Sequence, residues 1–130
     1  VGVAVTHKNS IVLCRRIEIC PISKKPVPFG GYWSVFCGAI ESGESAAEAG
    51  VREVKEESDL DIEKEKLNFL GKINDLALFQ TEIDYVPVDI KLNFEHTEFG
   101  IFSIPECHTS PDPVDLDLIQ AIQYNHFINQ

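Results

Sequence analysis

At 130 residues and 14.6 kDa the chain is long enough to bury a hydrophobic core and short enough that one domain over residues 1–130 is expected. Its 44% hydrophobic and 25% charged residues exclude a disordered or fibrous protein. The formal charge of -10 argues against a nucleic-acid polymer as partner, since such binding draws on clustered Lys and Arg, but it is compatible with a small anion chelated to a metal.

Along the chain, VGVAVT (1–6) and IVLCRR (11–16) are β-branched-rich runs separated by His7-Lys8-Asn9-Ser10, the pattern of a hairpin. Residues 17–31 hold Pro21, Pro26, Pro28 and the Gly30-Gly31 pair, which predicts a long functional loop beside a cleft. Tyr32 to Phe36 returns to strand character. The turn GAIESGES then leads into a helix over 44–58, with Ser45 and Glu48 at capping-box spacing and Ala47, Val51 and Val54 as its inward positions. Gly50 inside it suggests close packing against a neighbour.

Further strands are predicted at 67–73, 76–82, 98–104 and in the alternating run Val86, Val88, Ile90, Leu92, where Pro87 favours an edge or a bulge. Asp112 and Pro113 supply an N-cap and a first-turn proline for a closing helix to about Phe127, packing through Leu118, Ala121, Ile122 and Phe127. This order of elements indicates an α/β protein. Edge strands and the proline-rich loop could support a homodimer.

Cys14, Cys20, Cys37 and Cys107 lack C-x-x-C spacing and paired histidines, so they read as reduced, mostly buried thiols of a cytoplasmic protein. No apolar run reaches membrane-span length, and no membrane partner is expected. Among residues 1–37, Lys8, Arg15, Arg16, Lys24 and Lys25 stand against Glu18 alone; these cations either decorate strand ends or meet substrate phosphates. Arg15 and Arg16 alternate faces, so at most one readily points at a site. Trp33 and Tyr32 offer faces for a base, or simply pack.

The chemistry concentrates in the first helix. Glu53, Glu56 and Glu57 stand at i, i+3 and i+4, so like charges crowd one stripe, a repulsion that a divalent cation would reverse. From Gly38 the sequence reads GAIESGESAAEAGVREVKEESDL, which resembles the signature of the Nudix (MutT-like) hydrolase family, G-x5-E-x7-R-E-U-x-E-E-x-G-U, U being a bulky aliphatic residue. Every fixed position matches except the last Gly, replaced by Asp59. Phe36-Cys37 also stands where many members have Pro-Gly, which bears on the substrate side of the cleft.

The resemblance spans the whole chain and implies a mixed β-sheet sandwiched between helices, an α/β/α sandwich. It implies a metal-dependent pyrophosphohydrolase acting on a small nucleotide such as a (d)NTP, a nucleoside diphosphate sugar or a dinucleoside polyphosphate. A catalytically weak nucleotide-binding or regulatory domain is the alternative. Carried onto matching positions, Glu53, Glu56, Glu57 and the Gly38 carbonyl would ligate Mg²⁺ or Mn²⁺. Arg52 would orient the carboxylates through Glu48 or Glu56, and Glu44 would organise the loop. Glu57 or Glu98 would act as general base, Glu98 lying in a segment similar to one that faces the motif helix in the family. His96 reads as uninvolved.

Overall fold

The computed structural model of the chain describes residues 1–127. β1 (Gly2–His7) and β2 (Ser10–Arg16) form the expected hairpin, turning through Lys8 at φ 55 and pairing Thr6 with Ile11. Along one edge β2 pairs with β7 (His96–Ser103), while its other edge meets β1 at the turn and β3 (Trp33–Ser34) near Arg15. In the same way β1 runs parallel to β6 (Leu76–Glu82) on one edge and meets β4 (Phe36–Cys37) at Gly2 and Val3 on the other. The hairpin is thus joined at its turn and held open at its mouth by β3 and β4, which Val35 separates. β5 (Asn68–Ile73) completes the mixed sheet, antiparallel to β6.

Alternation along the two central strands divides the core. Val3, Val5, Val12 and Cys14 face α1 (Ala46–Ser58) and pack with Phe36 and Val54. Ala4, Ile11 and Leu13 face the opposite layer, where α3 (Leu116–Ile122) contributes Leu118, Ile119 and Ile122. Both sheet faces are covered, as in the expected α/β/α sandwich. Trp33 belongs to the second core, 7% exposed with its ring 5.0 Å from Phe102, so it packs and offers no free face.

Both arms of the α1 capping box form: the Glu48 N–H donates to Ser45 Oγ at 3.1 Å and the Ser45 N–H to Glu48 Oε1 at 2.8 Å. Asp59 caps the other end in the left-handed region at φ 64, the role the resemblance assigns to Gly. Gly50 lies against β1, where a Cβ would come within 2.9 Å of Val3 Cγ2, so the helix sits closer to the sheet than a larger residue permits.

Some elements differ from those expected. Val86 to Leu92 forms no strand: Val86 and Val88 are exposed, and the segment crosses the end of α1, where the Lys91 N–H donates to the Ser58 carbonyl at 3.0 Å. The closing helix starts later than Pro113. The Trp33 N–H donates to Pro113 O and the Asp115 N–H to Trp33 O, both at 2.9 Å, so residues 113–115 are strand-like, and Asp115 caps α3 in place of Asp112. Beyond α3 the chain continues as a π-helical turn, Gln123–Phe127. A short α2 (Ile104–Thr109), capped by Ser103 and Glu106, follows β7 where only the strand was expected.

The capping box predicts a modest, local stability effect. Ser45→Ala should lower unfolding stability by about 1 kcal/mol in urea denaturation and Ser45→Gly by only a few tenths. Equal losses would show that the side-chain acceptor contributes nothing.

Candidate active site

On α1 the stripe Ala49, Glu53, Glu57 is buried, so two glutamates occupy positions where a helix facing a sheet would ordinarily place apolar residues. Glu57 is fully buried and Glu53 is 8% exposed, whereas Glu56, one position round the helix, is open to solvent. They fit because the backbone opposite is Gly38, just beyond β4, where any Cβ would overlap the Glu53 carboxylate. Burial first, and then the adjoining Glu53 carboxylate, pushes the Glu57 carboxyl up to about 10. Glu57 Oε1 accepts the Cys37 N–H at 3.3 Å, and Oε2 is buried without a hydrogen-bond partner.

Arg52 ties the helix to the loop before it. Its Nη2 donates to Glu44 Oε1 at 2.7 Å and to the Ala39 carbonyl at 2.9 Å, and its Nε to Glu44 Oε2 at 3.2 Å, a bidentate fork. Its Nη1 reaches Glu53 Oε1 at 2.9 Å and both Glu56 oxygens at 3.3 Å. The predicted contact with Glu48 is absent, since that carboxylate serves the capping box. Held by Arg52 and the Glu41 N–H, the Glu44 carboxyl stays below the usual carboxylate range.

A bulge in β7 decides what faces this cluster. Arg15 stands opposite Glu98 and Arg16 opposite His96, with the register shifting between them, so Thr97 adds one residue to β7 and puts His96 and Glu98 on opposite faces of the sheet. Glu98 is therefore not brought to the cluster: it pairs with Arg15 at 3.3 Å, which also meets Asp112 at 3.5 Å and the Gly31 carbonyl at 3.0 Å. His96 instead points inward, with Nε2 3.9 Å from Glu57 Oε1 and Nδ1 buried and unpartnered. Burial, then the charge of Arg16, pulls this imidazole down to about 4, so it is neutral at pH 7.

Two further residues reach the site unannounced by the motif. The Glu95 carboxyl is raised by partial burial and then by repulsion from Glu53 and Glu56, which places it across from α1. The Arg16 guanidinium makes no hydrogen bond or ion pair among the described residues, lines the cavities at the hairpin mouth and acts on Cys37, Glu95 and His96 through its charge. Of the two arginines, Arg16 is the one free to meet an anion.

No group of three or more His, Cys, Asp or Glu side chains among the described residues already converges to hold a metal, because Arg52 draws Glu53 Oε1 and Glu56 to itself. The donor chemistry nonetheless suits a hard cation. The orphaned Glu57 Oε2 adjoins the Glu53 carboxylate, which lies against the Gly38 backbone, and the Gly38 carbonyl keeps a lone pair after accepting from the Val1 amine at 2.9 Å. Few protein oxygens suit Mg²⁺, which retains waters and takes substrate phosphates.

The model of the NUDIX domain matches residues 1–110. The chain belongs to the NUDIX family. Membership, with Arg52, Glu53, Glu56 and Glu57 intact, supports a pyrophosphohydrolase. The fold agrees with solved structures of this family: a MutT protein from Methanosarcina mazei Go1 superposes with a TM-score of 0.71 at 20% identity, over 99% of this chain and 92% of that one. An ADP-ribose pyrophosphatase from Streptococcus suis gives 0.62 at 20% identity, over 94% and 82%. At these identities the likeness concerns the fold. An octanoyltransferase of Myxococcus xanthus is 33% identical over 85 residues, 58% of this chain, and the match spans only 24% of that protein's length. No described helix is long and apolar enough to cross a membrane. The four cysteines are unpaired, Cys14 and Cys107 buried and Cys20 and Cys37 less so.

Gly38→Ala should displace the Glu53 carboxylate and reduce activity by more than tenfold with an unchanged circular dichroism spectrum; an active variant would show that the close approach is dispensable. The Glu57 carboxyl also sets a pH dependence. With EDTA present it holds a proton in the folded chain that an unfolded carboxylate loses above its ordinary value near 4.5, so the folded state binds more protons and its stability falls as pH rises toward 10. Glu57→Gln should flatten that fall between about pH 5 and about pH 9 in denaturant titrations. Parallel slopes in the two proteins would contradict the assignment.

Proposed function

We propose that this domain hydrolyses a phosphoanhydride bond in a small nucleoside diphosphate-linked substrate, such as a (d)NTP, a nucleoside diphosphate sugar or a dinucleoside polyphosphate, with Mg²⁺ or Mn²⁺. The observation that carries the reading is the buried Glu53–Glu57 pair, destabilised by like charge, together with Arg16, whose side chain makes no hydrogen bond or ion pair among the described residues. Such a pair weakens the fold unless a cation neutralises it. The ADP-ribose pyrophosphatase among the structural relatives supports the substrate class.

In this reading Glu53, Glu56, Glu57 and the Gly38 carbonyl hold the cation. When bound, it supplies charge neutralisation for the phosphates and makes the attacking water more acidic. Arg52 orients Glu53 and Glu56 and, through Glu44, fixes the loop that carries Gly38. Arg16 binds a substrate phosphate oxygen and offsets charge as the anhydride oxygen leaves. Glu57 lies within the cluster and Glu98 is engaged with Arg15, so acceptance of the water proton falls to the Glu95 carboxylate, whose raised affinity for protons suits it. Neutral His96 lies behind Glu57 and adds no charge to that wall.

Release of nucleotide and phosphate products from a substrate panel, in Mg²⁺, Mn²⁺ or EDTA, tests this. Turnover should require the metal, and Glu57→Gln should lower it by several orders of magnitude while the protein stays folded. Metal-independent turnover, or wild-type rates in Glu57→Gln, would refute the mechanism. Nucleotide binding with no turnover would favour the weak binding-domain alternative.

A further inference from the structure

A cleft of about 260 Å³ opens from the hairpin mouth on the α3 side of the sheet. Arg16 and Cys37 line it, and because the Cys37 N–H donates to Glu57 Oε1 at 3.3 Å, its Cys37 wall abuts the carboxylate cluster. A substrate whose phosphates meet Arg16 can therefore extend its remaining part into the cleft. The cleft is large enough for a heterocyclic base and too small for a whole dinucleotide.

Its walls fit a flat ring with hydrogen-bond donors on one edge. Leu76 and Leu118 give an apolar floor. Phe29 contributes an aromatic ring that is 62% exposed, braced edge-on against Tyr32 at 5.4 Å. Its backbone lies at φ 56, an unfavourable conformation for a bulky residue that holds the ring at the cleft instead of in the core. Asp117, exposed and with a carboxylate that makes no hydrogen bond or ion pair among the described residues, provides a free acceptor.

We propose that this cleft is the nucleobase subsite of the hydrolase proposed above, with the base stacked on Phe29 and its exocyclic amino group donating to the Asp117 carboxylate. Adenine, guanine and cytosine each carry such an amino group, whereas uracil and thymine carry none and their one ring N–H on that edge is flanked by carbonyl oxygens that a carboxylate repels. The substrate is therefore a nucleotide with an amino-bearing base. This proposal rests on the hydrolase reading only for the direction in which the phosphates lie. The neighbouring cavity of about 230 Å³ under Phe94 is the competing location. Its polar side chains Arg16, Glu95 and His96 are those given roles at the catalytic cluster above.

The test is calorimetric binding of the α,β-methylene diphosphates of adenosine, guanosine, cytidine and uridine, with Mg²⁺, beside KM for any hydrolysed counterpart. The amino-bearing bases should bind at least about tenfold more tightly than uridine. Asp117→Asn should erase that preference, and Phe29→Ala should weaken every analogue and raise KM by about tenfold or more. Phe94→Ala should leave the preference intact. Equal binding of all four bases, no binding at all, no effect of the Phe29 and Asp117 changes, or transfer of the effect to Phe94 would each overturn the proposal. Base-selective binding without turnover would instead sink only the hydrolase reading, and turnover without base selectivity only this one.

Discussion

Two carboxylates buried side by side, against a backbone with no Cβ, are the constraint around which the rest of this molecule is arranged. Glu53 and Glu57 occupy a helix stripe that packing alone would fill with apolar residues, and Gly38 leaves the volume that Glu53 takes up. Burying charge is unfavourable unless it is paired, protonated or bound to a cation. The chain answers with the first two: Arg52 pairs with Glu53, and Glu57 is driven toward its neutral form. Both responses are reversible, which is why the arrangement suits a site that receives a cation and an anion together.

The scaffold supports this by keeping the β1–β2 hairpin open. Were the two strands paired along their whole length, neither the Cys37 N–H nor Gly38 could approach α1 between them. β3 and β4 wedge the mouth, the two cores on either side fix the wedge through Val35 and Phe36, and the capping box and Asp59 set where α1 begins and ends. Arg52 then locks the intervening loop onto the helix through Glu44. Stability and function share the same contacts here, since the loop that α1 anchors also presents the Gly38 carbonyl.

Which polar residues join the cluster depends on a single extra residue. The β7 bulge at Thr97 reverses the strand's facing, sending Glu98 to Arg15 and His96 to Glu57. It also leaves the Arg16 guanidinium without an ion pair among the described residues while Arg15 is consumed by Glu98 and Asp112. Two adjacent arginines of the same chemistry thereby acquire separate roles, one holding the sheet's end to the segment before α3 and the other available to an anion.

Much of this was legible in the residues themselves. The hairpin, the extent and capping of α1, the tight seat of Gly50, the left-handed Asp59 and the clustering of Glu53, Glu56 and Glu57 all follow from local spacing and short-range hydrogen bonds, which a sequence carries directly. The α/β/α layering followed from the order of elements and the family resemblance. What tertiary structure decided was long-range. The run Val86 to Leu92 alternates like a strand yet finds no partner edge, and Asp112-Pro113 reads as a helix start yet is drawn into pairing with Trp33 from a distant part of the chain. The facing of Glu98, His96, Glu95, Arg15 and Arg16 depended on a register shift against β2, and periodicity within one strand cannot reveal an inserted residue whose effect exists only relative to its partner.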